Sequence, residues 1–253
     1  MMTRQRFAPN QGRLEIEITP DCNIRCHGCN RSSRQAPSTE GMTVAQMERF
    51  VTESIGARWH WRTIGLLGGE PTLHPNLEAI LSVLWRYKED TPCVVELVTN
   101  GFGDQARSFI DAAPAWLQIR NSRKTGPLQS FEPYNIAPRD LEAYRDADFS
   151  AGCAVAAEFG LGLTRHGYYP CGPGASIDRV FGFDIGIKRL ADVTTEALTE
   201  QMRTLCGYCG HFLAAQGSAA PGHAAGASAK TRSSAWKQAY RDYNAGAPRL
   251  STY

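Results

Sequence analysis

The sequence predicts an α/β fold: strand–helix–strand units with right-handed connections, laid around a parallel sheet. Two observations carry this prediction. Along the first half of the chain the apolar residues switch between a period of two and a helical period, with short connections between the segments. Glycines and polar residues also gather just after each strand, the end of a parallel α/β barrel on which sites form.

The first strand is read over residues 13–19, where Leu14, Ile16 and Ile18 alternate with Glu15, Glu17 and Thr19, and Pro20-Asp21 ends it. Residues 31–41 are polar and read as irregular. Thr43-Val44-Ala45-Gln46 has the form of a capping box, and Val44, Met47, Val51 and Ile55 follow at helical spacing. A second strand over 63–67 runs into Gly68-Gly69-Glu70-Pro71, and the next helix carries Leu77, Ile80, Leu81 and Leu84 on one face. A third strand over 94–99 ends at Asn100-Gly101 and is followed by a helix over roughly 103–112. A fourth strand over 116–120 ends at Asn121-Ser122, and Pro138 is expected to begin a helix running to about Asp148.

Composition narrows the function classes. The 253 residues are 42% hydrophobic and 21% charged, ordinary values for a globular protein. The 27 basic and 25 acidic side chains leave +2, so no basic excess points to nucleic acid or a membrane surface. A small or peptide-like substrate is the expectation. The N-terminal Met1-Met2-Thr3-Arg4-Gln5-Arg6-Phe7 lacks the apolar core of a signal peptide, and no apolar run approaches the ~18 residues of a membrane span. A cytoplasmic location is expected. There thiols stay reduced, which favours metal or cluster ligation over disulfides for the eight cysteines.

Seven of the eight cysteines fall into two sets, and Cys93 stands apart. The first set is Cys22, Cys26 and Cys29, on one loop directly after the first strand. Three thiolates can hold an iron–sulfur cluster, which normally takes four, and so leave one iron open. Zinc is the competing reading, but it prefers four ligands and CxxC pairs. The second set is Cys153, Cys171, Cys206 and Cys209. By spacing alone it suits a structural zinc as well as a second cluster.

The cysteine loop after the first strand, Gly68-Gly69-Glu70-Pro71 after the second and Val98-Thr99-Asn100-Gly101 after the third together resemble the radical S-adenosylmethionine (SAM) superfamily. One departure is Gly28, where many members carry an aromatic residue against the adenine. The resemblance implies a shortened, partial (β/α) TIM-like barrel and a [4Fe–4S] cluster on Cys22, Cys26 and Cys29, with SAM chelating the open iron. Reductive cleavage of SAM would then give a 5′-deoxyadenosyl radical that abstracts hydrogen from a substrate. It places Gly68, Gly69, Glu70 and Pro71 at the methionine amino group, and Thr99, Asn100 and Ser122 at the ribose or carboxylate.

Gly167-Tyr168-Tyr169-Pro170-Cys171 with the later CxxC is similar to the Twitch domain, a short relative of the SPASM domain. That likeness implies an auxiliary [4Fe–4S] cluster on Cys153, Cys171, Cys206 and Cys209. The cysteine layout and chain length resemble the 2-deoxy-scyllo-inosamine dehydrogenases, which oxidise a secondary alcohol. The expected organisation is therefore a partial barrel over 1–150, a Twitch unit over 151–213, a flexible linker over 214–232 and a C-terminal helix and tail over 233–253.

Within the barrel, Glu15 and Glu17 should point inward because Leu14, Ile16 and Ile18 face the helices, and Glu96 interrupts the apolar third strand. Glu17, Glu96 and Arg120 either line a polar pocket or form an ion pair at the barrel floor. Arg120 and Lys124 are the basic candidates for assisting deprotonation, and Glu17 joins them as a catalytic candidate. His27 and His211 sit beside cysteines and are read as hydrogen-bonding neighbours rather than ligands. Cys93, at the start of a strand, should lie away from the chemistry. That placement favours dehydrogenation of a small polar substrate (a sugar, a cyclitol or similar) over epimerisation, which needs a hydrogen donor. Modification of a ribosomal peptide is the other alternative. A flavodoxin or ferredoxin is the expected electron donor.

Overall fold

A computed structural model describes residues 5–131, 134–215 and 231–253, with the side chain of residue 214 left out. Strand β1 (Arg13–Thr19) leads through helix α1 (Val44–Gly56) to β2 (Thr63–Gly68). Helix α2 (Leu77–Glu89), β3 (Val94–Thr99), α3 (Asp104–Ala112) and β4 (Gln118–Asn121) complete the βα run. Then come α4 (Ala154–Phe159), β5 (Leu161–Thr164), β6 (Gly167–Tyr169), α5 (Gly172–Phe181), α6 (Thr195–Leu205), α7 (Gly210–Ala215) and α8 (Ser234–Ala245). One six-stranded sheet has the order β4-β3-β2-β1-β5-β6, parallel except for the β5–β6 hairpin.

The strand alternation decides which face is buried. Leu14, Ile16 and Ile18 of β1, Ile64 and Leu66 of β2, and Val95 and Leu97 of β3 share one core with Met47, Phe50 and Val51 of α1 and Ile80, Leu81 and Leu84 of α2. Each such side chain contributes roughly 1.5–3 kcal/mol on burial. The opposite face carries Glu15 in register with Gly65, and Gly65 with Glu96. A one-residue slip would put Glu15 and Glu17 of β1, or Glu96 of β3, into the apolar layer, so the register is strongly specified.

Helix α1 starts as expected: Thr43 Oγ1 accepts from Gln46 N–H, and the Gln46 side chain accepts from Thr43 N–H. The helix expected from Pro138 is not formed. Instead there are separate 3₁₀ turns at Pro138–Asp140, Glu142–Tyr144 and Phe149–Ala151. Leu141, Tyr144 and Ala147 recur every three residues and pack into one small cluster, a period that a 3₁₀ turn eclipses and an α-helix does not.

Residues beyond 150 do not stand apart from the sheet, because Leu161 and Leu163 of β5 pair in parallel with Leu14 and Ile16. The C-terminal helix α8 docks on its own chain through Trp236, Ala239, Tyr240 and Tyr243. Residues 216–230, most of the linker expected over 214–232, lie outside the described residues.

Candidate active site

At the C-terminal end of β1 the chain turns into the cysteine loop. Cys22 and Cys26 are buried, and Cys29 and Phe102 pack against them. Gly28 has φ 66°, in the left-handed region that glycine adopts without strain. This explains glycine where an aromatic residue is common. A short ladder with the segment after β4 pins the loop: His27 N–H donates to Gln129 O, and Phe131 N–H donates to His27 O. His27 thus acts first through its backbone.

The glycines after β2 exist for close approach. A Cβ on Gly68 would stand 2.0 Å from Thr19 O, and one on Gly69 2.0 Å from Asp21 O. In their absence Gly69 N–H donates to Thr19 O and Glu70 N–H to Asp21 O, stitching the two loops together. Glu70 is fully buried, and its carboxylate is already committed. Oε1 accepts from Thr72 N–H, Thr72 Oγ1 and Thr99 Oγ1, while Oε2 accepts from Asn100 N–H at 2.7 Å. The acid ties the β2 loop to the β3 loop, while the Glu70 and Pro71 carbonyls accept from Leu73 and His74 N–H within the turn.

Thr99 is buried and spent on Glu70, with its carbonyl accepting from Ser122 Oγ. Asn100 lies against the cysteines: its Nδ2 donates to Asn23 Oδ1 and lies 3.9 Å from Cys22 Sγ. Asn23, a member of the cysteine loop, carries no signal of its own in the sequence. Burial and the neighbouring Cys26, Cys29 and Glu70 push the Cys22 thiol up to about 11. Crowded thiols of this kind favour a cation that compensates their thiolates. Three gathered sulfurs on one loop, with an amide N–H beside them, fit a cluster held by three protein ligands.

Below this end, the polar face of the sheet opens into a cleft of about 460 Å³ lined by Glu15, Gly65, Glu96, Arg120, Asn121 and Ser122, among others. That volume suits one small molecule. Of the three charges read from the sequence, Glu96 and Arg120 line the cleft and pair at 3.2 Å, whereas Glu17 is not part of its lining. Lys124 is elsewhere: its Nζ lies over the Phe131 ring and its charge acts on Cys26. Glu17 is buried and its Oε2 has no hydrogen-bond partner; burial raises its pKa against the pull of Arg179 and Arg31. Cys93 is fully buried just before β3, at the opposite end of the sheet from the cysteine loop.

The second cysteine set also converges. Cys153, Cys171, Cys206 and Cys209 line one cavity, together with apolar neighbours such as Met202, Leu205 and Phe212. Cys153 precedes α4, Cys171 caps α5 and accepts from Gly174 N–H, and Cys206 and Cys209 bracket the turn after α6. Burial pushes Cys171 up to about 12, with Cys153 adding to the rise. Among the described residues, no three His, Cys, Asp or Glu side chains are gathered as a site for a single metal ion.

An open parallel sheet with three loop thiols at its C-terminal end, over a polar cleft, presents the donor set of an iron–sulfur site. The description of the radical SAM superfamily matches residues 16–161, and the chain belongs to that superfamily. Membership implies a [4Fe–4S] cluster and SAM as cofactors. Among curated relatives, a "Probable GTP 3',8-cyclase" of Thermococcus kodakarensis is 35% identical over 102 residues, 40% of this chain and 31% of the relative. A protein of the same description from Methanococcus aeolicus is 30% identical over 88 residues, 35% of this chain and 29% of its own. The chain thus matches about a third of the length of these relatives.

Two solved structures are similar in part. The crystal structure of BtrN in complex with AdoMet and 2-DOIA aligns over 81% of this chain and 94% of its own, at 14% identity and a TM-score of 0.48. Streptococcus suis SuiB bound to precursor peptide SuiA aligns over 43% and 23%, at 18% identity and a TM-score of 0.34.

Proposed function

We propose that this chain is a radical SAM oxidoreductase that dehydrogenates a small polar substrate at a C–H carrying a hydroxyl or amine, and that Cys153, Cys171, Cys206 and Cys209 form a Twitch-type auxiliary site. The convergence of those four thiols on one buried cavity is the observation that carries the reading. The likeness of Gly167-Tyr168-Tyr169-Pro170-Cys171 and the later CxxC to the Twitch domain favours a cluster over zinc at this site. When bound, the two clusters and SAM supply a hydrogen-abstracting adenosyl radical and an acceptor for the electron left on the substrate.

The chain's own residues do the rest. The Gly68–Pro71 backbone receives the methionine end of SAM, and the Glu70–Thr99–Asn100 junction fixes the three loops that surround it. The Glu96–Arg120 pair presents a fixed acceptor and donor to substrate hydroxyls in the cleft. Glu17, two residues beyond the cleft-lining Glu15 on β1 and with no hydrogen-bond partner on Oε2, is our candidate to accept the proton released as the carbinol becomes a carbonyl. Lys124, over Phe131 and near Cys26, is better placed to balance charge at the cysteine loop than to act in the cleft. Electrons enter from a small redox protein such as a flavodoxin or ferredoxin.

Anaerobic turnover in deuterated water tests the reading. Aminated and hydroxylated cyclitols or sugars, incubated with reconstituted enzyme, SAM and reductant, should lose two mass units. Deuterium gained at carbon without that loss would replace dehydrogenation by epimerisation.

A further inference from the structure

Arg31 lies two residues past Cys29, yet its side chain does not serve the first cysteine site. Its Nη2 forms an ion pair with Glu15 Oε2 at 2.5 Å, and Glu15 lines the substrate cleft. Its other terminal nitrogen, Nη1, is buried without a hydrogen-bond partner. That nitrogen lies against Gly172, so close that a Cβ there would stand 1.8 Å from it. Gly172 follows Cys171 directly, and the Cys171 thiol feels the Arg31 charge. The whole residue is 8% exposed.

The local backbone holds this aim. Ser32 sits at φ 51°, a left-handed conformation worth on the order of 1 kcal/mol of strain that its surroundings must hold in place. Ser32 Oγ bonds Tyr134 and Tyr240, and Arg179 Nη2 donates to Arg31 O at 2.9 Å. An arginine N–H that is buried and unpartnered costs free energy unless something accepts from it. Buried sulfurs of an iron–sulfur centre are such acceptors, and donors to them set the reduction potential.

We propose that Arg31 is a positioning residue that joins the substrate cleft to the auxiliary site: Nη1 donates to the sulfurs held at Cys171 while Nη2 stays on Glu15. This rests on the auxiliary-cluster reading above. A positive charge and an N–H beside the auxiliary centre favour its reduced, more negative form, so Arg31 raises its potential and helps it take the substrate's electron. Glu15 partly neutralises that charge. A substrate that engages Glu15 therefore changes how readily the electron is accepted.

The test is a redox titration, followed by electron paramagnetic resonance, of the full chain with Cys22→Ala, Cys26→Ala and Cys29→Ala, so that only the auxiliary centre reports. Arg31→Gln should shift its midpoint to lower potential, Arg31→Lys should restore most of the shift, and Glu15→Gln should shift it the opposite way. If Arg31→Gln fails to retain the centre, the sign of the Glu15→Gln shift decides. Unmoved potentials in a chain that holds the centre overturn the role of Arg31 and leave the auxiliary cluster standing. A background that binds no iron overturns the auxiliary cluster itself, and the role of Arg31 with it.

Discussion

Glu70 shows what one buried acid does at this site. Four donors converge on its carboxylate, two of them from the β3 loop. Glu70→Ala should destabilise the apo chain by about 3 kcal/mol or more, because buried donors lose their acceptor, and a lowered denaturation midpoint would show it. Glu17 has the opposite character, with nothing bonded to Oε2. Burial raises its folded-state pKa above the ordinary carboxylate value, the Arg179 and Arg31 charges opposing and the Glu15 charge adding to the rise. The ionised form that accepts a proton is therefore populated only as pH climbs through that raised value. Product formed per SAM cleaved should rise with pH over that window in the wild type. Glu17→Gln should flatten the dependence and cut product about 100-fold while 5′-deoxyadenosine still appears. The cysteines, Glu70 and Asn100 were legible because their spacing is unusual. Asn23 and Arg31 were not, since an asparagine and an arginine in a polar loop carry no pattern until the fold brings Asn100 to the one and Glu15 and Gly172 to the other.

Elements that follow the sheet period could be placed from the sequence nearly to the residue. The alternation predicts β3 over 94–99 and it forms there, because Val95 and Leu97 must face the helices while Glu96 cannot. Residues 138–151 resisted for a physical reason: an every-third-residue apolar pattern is close enough to helical spacing to mislead, and only packing selects 3₁₀ turns. The β2 loop gives an element-scale prediction. Gly68→Ala forces a Cβ into Thr19 O, so the β1 and β2 loops must part, at a cost of roughly 1–3 kcal/mol. SAM binding, followed by equilibrium dialysis with the reconstituted enzyme, should fall at least tenfold, and unchanged binding would contradict the close-approach role.

At the scale of the whole molecule, the partial barrel's sheet continues from β1 into the β5–β6 hairpin. The pairing of β5 with β1 joins segments more than 140 residues apart, which no local pattern reports. A chain ending at residue 150 exposes the β1 edge and strips Leu161 and Leu163 from the core. Such a chain should aggregate or lack a cooperative melt by circular dichroism. The central claim is that two separate cysteine sets hold two clusters, and metal analysis tests it most directly. The reconstituted chain should carry about eight iron atoms, and replacing Cys153, Cys171, Cys206 and Cys209 by alanine should leave about four and spare the signal that shifts on adding SAM. About four iron atoms in the unaltered chain, with one zinc that the same replacements remove, would contradict it.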